Sequence, residues 1–564
     1  MKLILFNLMH SIKKNKVTAY IAIAFTLFLT SLAFVPSDSF NKERFNQILI
    51  DKLAASKISA ELPDWAMLDP VKDGYEGTRT LAFREYIKSL QISSEPRQVV
   101  VAVIDGGIDI NHPALKDNIW KNMSEINGVE GVDDDKNGYI DDFYGWNFLG
   151  NQESLGLEVT REYFKLKNRG TPDKDPYYKK VRDDYTEEKS EVLFMRLGLN
   201  TTAEELKNAE KILKEKNYTT DPEELDKISS TLTGRYGEAA ALILNAYFLY
   251  GEKPEDIYEL QNSYEVKFKF LTDTTNTSVY IGDNPELFIE KGYGNNKPNT
   301  GSMDHGTHTA GIIAATVPTI GQSPYSKIMA LRCVPDEGDE RDKDIANAIY
   351  YAVDNGASII NMSAGKYFSP NSEQVVEALK YAEEKGVVFV SSAGNESSDI
   401  EQLVNYPRKF VMDNGRMKYF NNMIVVGASS WMQKWSKAKD PDDMNSHFDL
   451  AAPFSNYSDK VVDVFAPGVQ INSTYAKSNY KKLDGTSFSA PEVAGIAANL
   501  KAFFPMLTAS QIKEIISSSV RTYPGLEVKV RGKNGTLPFA SLSKSGGVVD
   551  MLNAYKRAQE IANN

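Results

Sequence analysis

A single cysteine, Cys333, leaves this 564-residue chain without any intrachain disulfide. The thiol falls inside the apolar run 328–334, where a buried, inert strand cysteine is expected rather than a reactive one. Histidine is almost as scarce: His10, His112, His305, His308 and His447 are the whole supply, so the choice of a base at neutral pH is narrow. A basic excess is missing too. The formal net charge is −12 and no basic stripe is clustered anywhere, which argues against nucleic acid as a partner.

Long hydrophobic runs are absent apart from one at the N-terminus. Lys13, Lys14 and Lys16 precede an uncharged apolar stretch over 17–34, the pattern of an export signal. Ser31 and Ala33 supply small residues for cleavage after Ala33, which makes 1–33 a signal peptide. At about 18 residues the run is also long enough to span a bilayer as an uncleaved anchor. Cleavage is the expectation, and the membrane becomes a partner only if the segment stays. No cysteine lies nearby, so a lipid-modified N-terminus is excluded. The protein is expected to be exported: secreted, periplasmic or held in the cell envelope.

The chain as a whole has an ordinary globular composition, 42% hydrophobic and 25% charged. Residues 34–95 read as an N-terminal extension and candidate pro-region. Helices are expected near 41–57 and 80–90, with an extended stretch over 63–70. After Pro96 the pattern changes. Residues 99–104 are continuously apolar and β-branched and end in Asp105-Gly106-Gly107; such a run suggests a strand covered on both faces. The same grammar returns after 326, with strands at 328–334, 358–362, 387–391, 423–427 and 461–465 and helices at 342–355 and 372–385. Strands alternating with helices predict an α/β fold on a doubly wound, mostly parallel sheet over 96–150 and 280–564. Ligands of such sheets sit at the carboxyl ends of the strands, where Asp105, Ser363 and the loop after Ser391 fall.

Residues 151–279 interrupt this pattern as a charged, Tyr-rich helical insertion. Helices are expected over 203–216, 222–232 and 237–249, with Thr201-Thr202 and Asp221 as N-caps. No motif there carries chemistry; the segment is either a plain insertion or a lid or exosite.

Four short segments remain. Ser487, in Gly485-Thr486-Ser487-Phe488-Ser489-Ala490-Pro491, stands at the mouth of a helix of small and apolar residues. It is either an N-cap or a nucleophile placed at the positive end of a helix dipole. Asp105 ends a buried strand; it is either a turn residue or the orienter of an imidazole. His305, in His305-Gly306-Thr307-His308, is a core histidine, half of a metal pair with His308, or a general base. Asn395, after Gly394, is a turn residue or an amide donor to an oxyanion.

Taken together in the order Asp, His, Asn, Ser, these segments resemble the subtilisin-like serine proteases, the subtilases. Over roughly 96–150 and 280–560 the resemblance rests on Val103-Ile104-Asp105-Gly106-Gly107, on His305 to Gly311 and on Gly485 to Pro491. It implies a serine endopeptidase acting on polypeptides through an acyl-enzyme. In that reading Ser487 is the nucleophile, His305 the base, Asp105 its orienter, and Asn395 with the Ser487 N–H the oxyanion donors. It also implies that substrate binds as an added strand along Ser363, Ala364 and Gly365. Departures from the family pattern are equally visible. Asp105 and His305 stand far apart because of the helical insertion, Gly106 follows the aspartate, and Ala364 and Lys366 replace more usual residues along the substrate edge. No family-type propeptide is recognisable in 34–95.

One acidic segment is independent of the triad. Asp133, Asp135, Asn137 and Asp141 alternate around Gly138 like the first part of an EF-hand loop, with Tyr144 where the closing glutamate would stand. It is either an exposed acidic turn or a structural Ca²⁺ site; the chemistry itself requires no cofactor. Two other readings share the motifs: a non-catalytic subtilase-like scaffold, and a transpeptidase or maturation enzyme using the same triad.

Overall fold

The computed structural model describes residues 62–90, 95–250, 253–275, 277–401, 405–413, 416–436, 447–530 and 535–563. The N-terminal apolar run, its cleavage point and the helix expected over 41–57 lie outside the described residues. The chain divides into two compact units. One is an α/β unit over Ile58–Glu162 and Thr274–Asn564; the other includes the helical stretch Tyr163–Asp273.

A ten-stranded sheet runs through the described residues of the α/β unit. Its body consists of β1 (Val99–Asp105), β2 (Gly145–Asn147), β3 (Ser326–Arg332), β4 (Ile359–Met362), β5 (Val388–Ser392), β6 (Met423–Ser436) and β7 (Val464–Pro467). These lie in the order β7-β6-β5-β4-β1-β3-β2, every neighbouring pair parallel. Along β1 the pleat sends Val101 and Val103 into one core and Ala102 and Ile104 into the other. Both faces are covered, which is why the run is continuously apolar.

Five helices position the site: α1 (Thr80–Ser89), α2 (Asp304–Ala314), α3 (Asp342–Asp354), α4 (Ser372–Glu384) and α5 (Thr486–Phe503). Ile345 and Ile349 of α3 and Val376 and Leu379 of α4 cover one face; Ile313 of α2 and Val493 and Ile496 of α5 cover the other. The fold is a doubly wound α/β sheet. Because β1 lies between β3 and β4, the connections diverge from it, and its carboxyl end is the topological switch point at which such sheets hold ligands. Cys333 lies one residue beyond β3 and is fully buried; burial pushes its thiol pKa well above the usual value.

Two parts of this unit differ from expectation. β6 runs on to Ser436 and pairs antiparallel with His447–Ala451, well past the apolar 423–427. Residues 63–70 make turns instead of an extended segment, because the Asp69 carboxylate accepts from the Val71 N–H at 2.8 Å and the Asp69 N–H donates to Asp73 at 2.9 Å. This stretch is built into the core. The Trp65 indole donates to the Val469 carbonyl at 2.9 Å, Arg79 pairs with Asp69 and Asp550, and Phe83 packs edge-on against Phe503.

The helical unit contains Pro176–Lys214, Pro222–Ser229, Gly234–Tyr250 and Pro254–Thr272. Val181, Tyr185, Val192, Met195, Leu199, Leu206 and Leu213 recur every three to seven residues and form a buried stripe along the first of these. That helix is 39 residues long, so Thr201-Thr202 are interior residues and not N-caps. The Thr201 hydroxyl donates back to the Leu197 carbonyl at 3.0 Å, and the true cap is Asp175, followed by Pro176. Asp221 does cap its helix, accepting from the N–H groups of Glu223 and Glu224.

Candidate active site

Asp105 ends β1 at the switch point and is 1% exposed. Its Oδ1 accepts from the Gly106 N–H at 2.7 Å, and Oδ1 and Oδ2 face His305 Nδ1 at 2.8 and 3.0 Å. A carboxylate only accepts, so Nδ1 carries the proton and Nε2 is left as the basic nitrogen of the neutral ring. Gly306 makes the approach possible: a Cβ there would lie 2.2 Å from the Gly107 carbonyl oxygen and 3.2 Å from the Asp105 Cβ. Burial lowers the His305 pKa, and the Asp105 carboxylate outweighs it, leaving the imidazole above its ordinary value.

His308, one turn on, has a different environment. Its Nε2 lies 2.9 Å from the Lys481 carbonyl, its ring packs against Phe488, and burial pulls its pKa down to about 4. It is a core histidine. Among the described residues no group of three ligand-type side chains includes His305 and His308, so a metal pair there has no support.

Ser487 is the second residue of α5 and the partly exposed one in a first turn otherwise buried. Gly485 caps the helix at φ 151°, ψ 152°, a conformation open to glycine. The Ser487 hydroxyl donates to the Ser363 carbonyl at 3.1 Å, while the Ser363 hydroxyl donates to the Ser487 carbonyl at 2.8 Å. No hydrogen bond joins Ser487 to His305 in this arrangement; free sites of this kind commonly close that contact only around substrate.

Asn395 follows β5 and faces the same helix end. Its Oδ1 accepts from both the N–H and the hydroxyl of Thr486 at 2.9 Å, so Oδ1 is committed to the helix end and Nδ2 is the atom left to donate. Nothing in the sequence had marked Thr486 for this role. Asp105, His305, Asn395 and Ser487, drawn from four separate segments, therefore converge on one end of the sheet. Ser363 borders it, with Ala364 and Gly365 continuing outward.

The sequence over 96–536 matches the model of the subtilase family. The chain belongs to the subtilase family. Among relatives, this subtilase is 24% identical over 467 residues to the subtilisin-like protease 1 of Plasmodium berghei, covering 81% of the chain and 49% of that protein. It is 33% identical over 225 residues to subtilisin DY of Bacillus licheniformis, covering 39% of the chain and 72% of the relative. Thermitase of Thermoactinomyces vulgaris is 35% identical over 225 residues, with 39% and 68% covered. The chain thus spans about half the length of the Plasmodium relative.

The acidic loop of this subtilase arranges its donors differently from an EF-hand. Carboxylate oxygens of Glu125, Asp135 and Asp142 lie within 4.8 Å of one another. Asp133 accepts from the N–H groups of Asn137 and Gly138, and Asp141 from that of Gly131, so these two shape the turn. The Asn137 amide donates to Asp135 and Asp142. Glu125 lies eight positions before Asp133, outside the span an EF-hand pattern covers, and so escaped notice. Asp142 is fully buried. Burial raises its pKa to about 6 despite hydrogen bonds from Tyr351, Asn137 and Asn122. Three hard oxygen donors with one desolvated carboxyl fit a Ca²⁺-type cation.

Proposed function

We propose that the protein is an exported serine endopeptidase. The observation that carries the reading is the His305–Asp105 pair beside Ser487, with the Asn395 amide held in one orientation by Thr486. Ser487 Oγ attacks the carbonyl carbon of a peptide bond while His305 Nε2 takes its proton. Asp105 stabilises the imidazolium, and Asn395 Nδ2 and the Ser487 N–H donate to the oxyanion. Collapse breaks the C–N bond, with His305 returning the proton to the leaving amine. A water, deprotonated by His305, then releases the acyl group and regenerates Ser487.

Substrate lies along Ser363, Ala364 and Gly365 as an added strand. Export rests on the basic and apolar pattern of residues 13–34. Glu125, Asp135 and Asp142 would hold a structural Ca²⁺, with Asp133, Asn137 and Asp141 shaping the loop; the ion would supply charge compensation and no step of the chemistry. The deciding experiment is labelling by a fluorophosphonate combined with mass spectrometry of peptide-library products. Labelling that is lost in Ser487→Ala, with hydrolysed products, is expected. An unlabelled wild type overturns the reading in favour of a scaffold, and ligated products favour a transpeptidase.

A further inference from the structure

The sheet topology creates a cleft one strand wide. β1 stops at Asp105, while the chain beyond its neighbours β3 and β4 continues. Cys333 and Val334 still donate to the Asp105 carbonyl; past them, β1 no longer fills the space between 335–340 and 363–366. Strands in a sheet are about 4.8 Å apart, so walls left by a missing strand stand roughly 10 Å apart.

Each wall is occupied on its outer edge. On one side, the Leu155 N–H donates to Glu337 and the Asp336 N–H to Glu153. On the other, the Lys366 N–H and C=O pair with Tyr406 at 3.1 and 2.9 Å. Backbone groups of a strand alternate between its edges. Lys366 therefore faces away from the cleft, whereas Ser363, whose carbonyl meets Ser487, and Gly365 face into it. Among the described residues no internal hydrogen bond engages the backbone of Gly365.

The side chain of Lys366 goes the other way. It crosses to the opposite wall, where Nζ donates to the Glu340 carbonyl at 2.7 Å and pairs with Glu158 at 2.7 Å and Asp342 at 2.8 Å. The residue is 5% exposed, and its partners are fixed in turn. Arg161 holds Glu158 at 2.6 Å, and Ser369 and the Asn371 N–H each hold Asp342 at 2.8 Å. A substrate strand starting at Ser487 places its first three non-prime residues beside Ser363, Ala364 and Gly365. The fourth meets a position already filled by Lys366 and its ion pairs.

We propose that Lys366 is a specificity-determining residue: it fills the fourth non-prime position, so the cleft reads three substrate residues on that side and no side chain beyond them. This rests on Ser487 being the nucleophile of a peptidase. A pocket for the fourth residue would bury apolar surface and discriminate among side chains there; a space occupied by a locked ammonium cannot.

The test uses the full chain and chromogenic peptidyl anilides of three and four residues, the fourth being Gly, Ala, Leu or Phe. For the wild type, kcat/KM is expected to vary less than about threefold across the four-residue series and to match the three-residue substrate. A tenfold or larger preference at the fourth position overturns the proposal. Removing Lys366 alone leaves Asp342 buried without a cation, while Glu158 keeps Arg161, and this threatens folding. The opening variant is therefore Lys366→Ala combined with Asp342→Asn, expected to gain about tenfold for Leu or Phe at the fourth position relative to Gly. Lys366→Met combined with the same Asp342→Asn keeps the volume and is expected to leave that series flat. A folded opening variant with a flat series overturns the proposal. Turnover with a strong fourth-position preference defeats only the three-residue limit. No turnover of any substrate, with Ser487 unlabelled by a fluorophosphonate, defeats the peptidase reading and the limit with it.

Discussion

Asn395 Oδ1 accepts two hydrogen bonds from one residue, the N–H and the hydroxyl of Thr486, both at 2.9 Å. Thr486 is the residue immediately before Ser487, so the donor proposed for the oxyanion is tied to the helix end that carries the nucleophile. The Thr486 hydroxyl accepts in turn from the Gly394 N–H at 3.1 Å. Thr486→Val keeps the shape and the N–H but removes both hydroxyl contacts. It is expected to lower kcat by about tenfold with little change in KM, since the amide loses orientation and not substrate contact. Asn395→Ala, which removes the donor itself, is expected to cost on the order of 10²–10³ in kcat. Steady-state kinetics on one peptide substrate checks both.

The pH dependence should follow His305. Its pKa lies above the ordinary imidazole value because the Asp105 attraction exceeds the effect of burial. The base must be neutral, so kcat/KM is expected to fall as pH drops through a pKa higher than about 6.5. His308, pulled down to about 4, stays neutral through that range and adds no second limb. In Asp105→Asn the raising charge is gone, and the residual activity should lose its acid limb at lower pH than the wild type. A limb at the same pH in both would remove Asp105 as the cause.

How much of this was readable beforehand depends on the range of the interactions involved. β1 was legible because burial on both faces forces a continuous apolar run, and its final Asp105 followed from position alone. The long helix Pro176–Lys214 was half missed. Thr201-Thr202 look like a cap, but tertiary burial of Leu199 and Leu206 carries the helix through them. β6 was cut short for the opposite reason: from Ser429 onward it pairs with His447–Ala451, a pairing no local pattern announces. Ser363 and Asn395 could be placed by their strand ends. The crossing of Lys366 to Glu158 and Asp342 joins residues 208 and 24 positions away, and only the assembled cleft reveals it.

The stretch 62–90 is expected to behave as core. Trp65 and Phe83 are each 1% exposed. Trp65→Ala and Phe83→Ala should each destabilise the protein by about 3–5 kcal/mol, the usual cost of emptying a buried aromatic site. Equilibrium urea unfolding, performed on Ser487→Ala to prevent self-digestion, measures it. A loss below 1 kcal/mol for both would mean that this stretch is not packed as described.

Chelation tests the acidic loop. With Glu125, Asp135 and Asp142 brought together, the Ca²⁺ proposed for this loop would compensate their charges, and its withdrawal would remove that compensation. The melting temperature is expected to fall in excess chelator and to recover when Ca²⁺ is added in excess. Asp135→Asn should weaken that response. Asp133→Asn, whose carboxylate serves backbone N–H groups of the turn, should destabilise the protein with and without the ion. An identical melting temperature with and without chelator would show that the loop holds no cation.

Glu492 gives a stability prediction with a definite sign. It lies in α5, five residues after Ser487, 1% exposed, and hydrogen-bonds to Gln322, which also reaches Thr78 and Thr80 of the N-terminal stretch. Burial raises its pKa well above the glutamate norm, and the Gln322 amide offsets this only in part. The folded state therefore keeps a proton that the unfolded chain has released. Stability from this group is complete below the unfolded pKa of about 4.3 and declines as pH rises toward the higher folded value. Glu492→Gln is neutral at every pH and should remove this decline. The gap in unfolding free energy between Glu492→Gln and the parent, both carrying Ser487→Ala, is expected to widen in favour of glutamine between pH 5 and pH 8. A constant gap across that range would show that Glu492 does not keep its proton in the folded state.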